Sequence, residues 1–496
     1  MSCDRVHDVL IIGLGPTGAT LANLLGAKGL DTLVIDREPG FLDLPRAVHF
    51  DGEVMRVFQN MGLAAALEPH LRPSSGMQYV NAQGLLMLER TPAAIKGPPG
   101  WATNYLFHQP DLEDALRRAL DRFGCVEVQN SLEALDITQH ADEVAVRVRS
   151  MHAAGTDEVL RARWVVGCDG ARSIVREVIS GPLHDLCLHQ EWLVVDVELT
   201  SEVALPQPTG QYCNPARPTT FVNVTGRRRR WEIMVMPSDD PQTLLEPANL
   251  WALLAPWIRP DQAKLVRSAL YTFHSLIASR WRAGRLLLAG DSAHQTPPFL
   301  GQGMCAGIRD AANLAWKLAA VVHGEAAEFI LDSYESERLP HVREFIDTAM
   351  RLGEIIQTTD PAIAALRDRR FTREGTTEIV NLSPTLGRGA HTGQALTGIL
   401  APQPRLADGR LLDDALVADR FALLTSAPES LPASPDARTV LERLKACQLS
   451  DPALGGWLES LGAQHALLRP DRYVAALANS AAEVASWPIT SWGFSS

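Results

Sequence analysis

The sequence predicts an α/β fold in which a unit of alternating strands and helices is interrupted by a mostly antiparallel sheet and followed by a separate C-terminal unit. Three observations predict it. The chain opens on "VLIIG", a short continuous apolar run that leads into a glycine-rich turn and a helix-like stretch. The middle of the chain is strand-rich, and "RLLLAGDSAH" at 285–294 then resumes the style of the opening. The predicted bounds are 1–180 and 283–385 for the two parts of the first unit, 181–282 for the inserted sheet and 386–496 for the C-terminal unit.

The first element is a buried parallel strand. After it, Gly13-Leu14-Gly15-Pro16-Thr17-Gly18 opens the helix-like "ATLANLLGAKG", and "DTLVIDR" is a second strand. In such a βαβ unit Gly13 permits the tight turn, Gly15 lets a pyrophosphate approach the backbone, and Gly18 lets helix and strand pack closely. The helix start offers unpaired amides to the phosphate. Asp36 ends the second strand, where a carboxylate accepts hydrogen bonds from a ribose, and Arg37 follows it. A lone glycine motif would be weak; strand, turn, helix, strand and acid in that order make a Rossmann-like dinucleotide site.

Further along, "FHQPDLEDALRRALDRFG" reads as a helix with Asp111 as N-cap and Gly124 as its stop. "VEVQNSLEALDITQHADEVAVRVRS" and "VLRARWVVGCDG" read as an antiparallel meander returning to the first sheet. The stretches "EWLVVDVELT", "TGQYCNPARPTTFVNVTG", "RWEIMVMP" and "SALYTFHSLIASRW" supply the inserted sheet, with Trp231 and Met236 as core. Between two of them, "RRRR" at Arg227 to Arg230 reads as a solvated hairpin turn rather than a nucleic-acid patch. In "GDSAHQTPPFLGQGMCAGIRDAANLAWKL" an acid follows a strand and two glycines precede a helix whose face is Ala311, Leu314, Ala315, Leu318 and Val322. Residues 361–389 read as an irregular linker, after which "RLLDDALVADRFALLTS", "ARTVLERLKACQ" and "HALLRPDRYVAALA" read as strand, helix and strand.

Charge and composition exclude several classes. With 58 acidic against 46 basic residues the formal charge is -12, which argues against a polyanion binder, so no nucleic-acid partner is expected. Seven scattered cysteines, Cys3 among them, include no CxxC, which suits a reducing compartment and speaks against a disulfide framework or structural zinc. No catalytic metal is expected. The opening residues run straight into a strand without a secretory pattern, and no apolar stretch approaches the ~18 residues that span a membrane. A cytoplasmic protein without a membrane partner is the expectation.

Gly13 to Gly18 with Asp36, "GCDGARSIVR" at 167–176 and "GDSAHQTPPFLGQG" at 290–303 together resemble the three fingerprints of the single-component FAD-dependent aromatic hydroxylases. "WLVVDVEL", "YCNPARP", "EIMVMP", "LYTFHS" and "GIRDAANLAWKLA" resemble the branch of that family acting on 3-(3-hydroxyphenyl)propionate. The resemblance implies FAD as cofactor, NADH or NADPH and O2 as co-substrates, and hydroxylation of a small phenol ortho or para to its hydroxyl through a flavin hydroperoxide. A larger polycyclic or polyketide phenol, and a flavin oxidase or dehydrogenase without oxygen insertion, are the alternatives. A non-catalytic FAD-binding sensor is a third class, with no residue pattern in its favour.

Carried over by position, the resemblance assigns Arg46 to the FAD phosphates and flavin edge, Gln109 to the ribityl chain, and Asp169 and Arg172 to FAD and nicotinamide, Asp169 serving also as a turn anchor. It assigns Asp291 to the ribityl hydroxyls, and the amides around Gln302, Gly303 and Met304 to the flavin's pyrimidine edge. Pro298 lines the substrate side of the flavin. Tyr212 and Arg217 are the candidates for the ring hydroxyl and a side-chain carboxylate. Cys305 stands where many relatives carry a polar flavin contact, and His294 supports the loop of Pro297 and Pro298. The C-terminal unit resembles the thioredoxin-like tail of these hydroxylases; with Cys447 as its only cysteine it has no dithiol chemistry. It is expected to serve packing or oligomerisation, and a homodimer is one assembly left open.

Overall fold

The computed structural model describes residues 5–40, 46–92, 97–152, 157–430 and 434–495. Among these residues the first sheet has eight strands. Its parallel core runs in the order Leu286–Leu288, Glu158–Gly167, Val6–Ile12, Thr32–Asp36, Val126–Asn130. Val9, Leu10, Ile11, Val34 and Ile35 are fully buried, as a parallel sheet covered on both faces requires. The helix Pro16–Ala27 starts from Gly15 with Pro16 in its first turn, where the missing N–H costs nothing. Strands Leu132–Gln139 and Val144–Ser150 form the antiparallel meander onto Glu158–Gly167.

The second sheet has nine strands, built around the long pair Leu183–Leu199 and Ala263–Ala278. Two of its strands, Met77–Asn81 and Leu86–Arg90, come from the segment that the sequence reading placed wholly in the first unit. Its two faces differ. One packs Leu193, Val195, Phe221, Trp231 and Ile233 against the helix Pro247–Leu254. The other packs Met77, Tyr79, Trp192, Cys213 and Met234 against Phe299 and Leu300. Trp231 is fully buried, and Met236 packs at the margin of the second face.

Several local expectations need correction. The helix Gln109–Arg118 is capped by His108, two residues before its proline, so Asp111 lies inside the first turn, 3.1 Å from His108 Nδ1. Gly124 lies beyond the short 3-10 turn Ala119–Arg122 and does not stop the helix. The arginine run is not all solvated turn: the strand Arg228–Met234 starts within it, and Arg230 is buried against Asp196 at 2.7 Å. The supposed linker holds the helix Pro361–Glu374, capped by the Asp360 carboxylate, which accepts from Ala362 and Ile363 N–H. In the tail, Cys447–Ser450 is an additional strand, and "HALLRPDRYVAALA" is a hairpin of His465–Leu468 and Val474–Ala478. The six described cysteines are free thiols; Cys3 lies outside the described residues.

The helices Gly303–Val322 and Asp332–Ile356 join the three parts. Glu337 is fully buried where they meet: its carboxylate accepts from Lys317 Nζ at 2.7 Å, Asn313 Nδ2 at 2.8 Å and Ala390 N–H at 2.6 Å, with Arg469 of the tail at 2.8 Å. Burial pushes Glu337 up, but Arg469 and Lys317 outweigh it and hold the carboxyl far below its ordinary range. Burial, helped by the neighbouring Arg469 charge, brings Lys317 down to about 8 against the pull of Glu337.

Glu337→Gln leaves the buried Lys317 without its carboxylate, Arg469 keeping Asp471 at 2.6 Å, and is expected to cost about 3–5 kcal/mol at neutral pH. Because the folded pKa of Glu337 is depressed, its contribution is complete above the unfolded value of ~4.3 and is lost as pH falls through the folded value. Urea melts should therefore show the gap between wild type and variant narrowing below about pH 4; a gap constant from neutrality into acid contradicts this assignment.

Candidate active site

The glycine turn is dictated by contact distances. Gly13 has φ +103°, and a Cβ there would lie 2.4 Å from Cys168 O. A Cβ at Gly18 would lie 2.0 Å from Gly13 O, whereas one at Gly15 meets nothing within 4 Å. Thus Gly13 and Gly18 serve the packing of turn, helix and neighbouring strand, and Gly15 faces open space. That space belongs to a cleft of about 360 Å³ at the carboxyl ends of the parallel strands, where open α/β sheets bind ligands.

The cleft gathers Gly13, Gly15, Asp36, Arg37, Arg46, Gln109, Asp169 and Arg172 in its lining. Their side chains are not equally free. Asp36 accepts from Leu14 N–H at 2.6 Å and Glu38 N–H at 2.8 Å, which fixes its rotamer and leaves lone pairs toward the cleft. Gln109 Oε1 accepts from the Arg46 and Ala47 N–H groups at 2.8 and 2.6 Å, and its Nε2 donates to Glu113. Gln109 is therefore a clamp on the segment carrying Arg46. Asp169 accepts from Ile174 N–H at 2.8 Å and Ser292 Oγ at 3.0 Å, and burial raises its carboxyl. It anchors the turn. Arg37 and Arg172 are exposed at the rim.

The second half of the site starts at the strand Leu286–Leu288. Asp310, fully buried, accepts from Gly290 N–H at 3.0 Å, His294 Nε2 at 2.6 Å and Arg338 Nε at 2.9 Å. That triad fixes the Gly290–Ser292 turn, and His294 is a support. Asp291 makes no hydrogen bond among the described residues; it is accessible to solvent, yet protein crowds it, and the lost hydration raises its carboxyl against the pull of His294 and Arg46. Gln302 caps the helix Gly303–Val322, but its side chain is buried: Nε2 donates to Asp51 at 3.1 Å and Oε1 accepts from Arg309 at 3.0 Å. Gly303 and Met304 leave their amides at the helix start. Cys305 corrects an expectation: its buried thiol turns inward to Gly301 O, 3.7 Å away, so it is no edge contact.

The substrate-side candidates fare differently. Pro298 opens the 3-10 turn Pro298–Leu300, whose Phe299 stacks edge-on to Trp192 at 5.8 Å. Tyr212 lies on the far face of the sheet, packed on Trp257 at 5.6 Å within the Trp231 cluster. Strand alternation puts its neighbours Gln211 and Cys213 on the near face instead. Arg217 is bound to Asp239 at 3.0 Å and to Met234 O at 3.2 Å, a local brace. The sequence reading missed Glu232 on the near face. Burial raises its carboxyl, Arg230 stands 3.8 Å away, and no hydrogen bond reaches it among the described residues. An acid inside the strand pattern "RWEIMVMP" was the available signal.

Residues 6–349 match the family model described as FAD binding domain. A probable NADH-specific resorcinol 4-hydroxylase of Rhodococcus jostii is 39% identical over 74% of this chain and 69% of its own length. A 3-(3-hydroxy-phenyl)propionate/3-hydroxycinnamic acid hydroxylase of Burkholderia vietnamiensis is 40% identical, with 73% of this chain aligned to 65% of its length. One from Burkholderia cenocepacia is 34% identical over 95% of this chain and 94% of its own. Among solved structures, the flavin-dependent monooxygenase PieE in complex with FAD and substrate superposes with TM-score 0.84 at 21% identity, covering 98% of both chains. Cleft, fold and family model agree: this chain belongs to the FAD-binding-domain family of flavoprotein hydroxylases.

Proposed function

We propose that this protein is an FAD- and NADH-dependent monooxygenase that hydroxylates a small phenol ortho or para to its hydroxyl, a 3-(3-hydroxyphenyl)propionate-like acid being the favoured substrate. The observation that carries the reading is a cleft with room at Gly15, together with a crowded Asp291, outside the cleft lining, whose carboxylate accepts no hydrogen bond from the described residues. These fit FAD: Gly15 and the amides of the Pro16 helix toward its pyrophosphate, Asp36 toward its ribose, Asp291 toward its ribityl hydroxyls. The Gly303 and Met304 amides, at a helix N-terminus, suit the negative charge of a reduced flavin. Thr296, beside Gly303, adds a buried hydroxyl that makes no hydrogen bond among the described residues. The names of the Rhodococcus and Burkholderia relatives support the reaction class, NADH and a small phenol.

When bound, FAD supplies hydride acceptance from NADH and oxygen transfer to the ring. The chain's own residues do the rest. Trp192, Met234 and Phe299 give the near face of the second sheet an apolar wall that excludes water. The ring hydroxyl must also give up its proton on that side, since a phenol of pKa ~10 otherwise keeps it at neutral pH. Domain bounds of 1–180, 181–282, 283–385 and 386–496 are proposed as functional divisions, with strands 77–90 lent to the substrate sheet. The tail is proposed as thioredoxin-like. Its strand order, with a parallel pair Ala422–Thr425 and Cys447–Ser450 followed by the antiparallel hairpin, supports that.

Two measurements check this reading. Gly15→Val should leave the melting temperature of the apoprotein nearly unchanged while lowering FAD affinity by tenfold or more, whereas Gly18→Val should destabilise the fold itself, since its first side-chain carbon meets Gly13 O. Titration of apoprotein with FAD and thermal melts separate the two effects; equal behaviour of the variants contradicts the assignment. Second, the FAD-loaded protein given NADH and 3-(3-hydroxyphenyl)propionate should form about one product, heavier by one oxygen, per NADH consumed. NADH consumption with peroxide and no oxygenated product would move the substrate to another phenol, and no NADH consumption with any phenol would overturn the monooxygenase.

A further inference from the structure

Eight arginines are buried in the described part of the molecule: Arg56, Arg90, Arg230, Arg267, Arg309, Arg338, Arg469 and Arg472. Seven have a carboxylate within 4 Å. Arg90 has none among the described residues, and no hydrogen bond is made by its guanidinium there; its Nε is wholly enclosed. Burying a lone cation costs several kcal/mol. Among the described residues that position falls to one arginine, whose Nε is enclosed while its two terminal nitrogens are not, so an anion from outside the chain can reach them.

The place of Arg90 says which anion. It ends the strand Leu86–Arg90, paired with Met77, so it shares a sheet face with Met77 and Tyr79. This is the face that packs on Phe299 and Leu300, beside Pro298. Tyr79 is fully buried and its hydroxyl makes no hydrogen bond among the described residues. The carboxylate that acts on Arg90 is that of Asp51, after burial and the Tyr79 hydroxyl, and it is already bound by Arg309 and by Val54 N–H at 3.1 Å. His49 feels the same Arg90 charge. Its Nε2 bonds Asn104 at 2.7 Å, and burial with the Arg90 charge depresses its pKa, so it adds no counter-charge. Burial lowers the Arg90 pKa only against a very high ordinary value, so the group stays cationic.

We propose that Arg90 is the specificity-determining residue that receives the side-chain carboxylate of the substrate, with the Tyr79 hydroxyl donating to the same anion. The inference rests on the phenol-hydroxylase reading above and gives the substrate its charged end. Arg217, bound to Asp239, is not available for that role.

The test measures binding without NADH, by the change in bound-flavin absorbance of the FAD-loaded protein. Wild type should bind 3-(3-hydroxyphenyl)propanoate at least about 30-fold more tightly than the neutral 3-(3-hydroxyphenyl)propan-1-ol, as loss of a buried charge partner implies. Arg90→Gln should abolish that preference, leave affinity for the alcohol within about twofold, and melt no lower than wild type, since it removes an unpaired charge. Arg90→Lys should keep part of the preference and stands in should the glutamine variant fail to fold. A wild type that binds the acid no better than the alcohol, or a variant that retains the full preference, overturns the proposal. Failure of the hydroxylase reading is read elsewhere, as no NADH consumption by the wild type with any phenol.

Discussion

One buried helix, Gly303–Val322, carries four polar side chains whose partners lie in the segment of Asp51 and Glu53, in the Gly290–His294 turn, and on the helix Asp332–Ile356 beside the tail's Arg469. Arg309 binds Asp51 and Glu53, Asp310 binds the Gly290 turn with His294 and Arg338, and Asn313 and Lys317 bind Glu337 beside Arg469. Sixteen of its twenty residues are buried, so none of these charges is relieved by water. Such groups are tolerable only when all partners are in place together. The helix therefore couples the glycine-turn sheet, the acid-bearing turn and the tail into one arrangement.

That coupling explains how a loose-looking cleft is made exact. Asp36 is held by the turn it faces, Gln109 spends its carbonyl on two backbone amides, and Asp169 spends its carboxylate on a helix start and Ser292. Side chains that sequence motifs suggest as ligand contacts act here first as braces. The atoms left free, at Gly15, Asp291 and the start of the Gly303 helix, are those whose neighbours have been fixed. Preorganisation of this kind lets a bound group meet dipoles that need not move.

Much of this was legible in the sequence because backbone geometry leaves few choices. Gly13 and Gly18 are forced by contacts under 3 Å, and an acid after a buried strand has few other uses than Asp36 and Asp291 have. What was not legible depended on register. Tyr212 pairs with Thr219, and Phe221 with Trp231, which puts the tyrosine with the tryptophan on the far face; the hairpin length alone did not reveal that parity. Arg230 was hidden in a charge run because its partner Asp196 lies 34 residues away on another strand. The helix Pro361–Glu374 buries only Ala364 and Phe371, too narrow a stripe for periodicity to show, although Asp360-Pro361 was a usable start signal.

The tail reaches the site by a chain of side chains: Tyr473 Oη donates to Glu53 at 2.7 Å, Glu53 holds Arg309, and Arg309 holds Gln302 at the start of the Gly303 helix. A second tie runs from Asp413 to Arg56 at 2.7 Å and to Arg472. The two ties make tail and body one mechanical unit in this chain: a change at Tyr473 or Asp413 is felt at Glu53, Arg56 and Arg309, and through Arg309 at the start of the Gly303 helix.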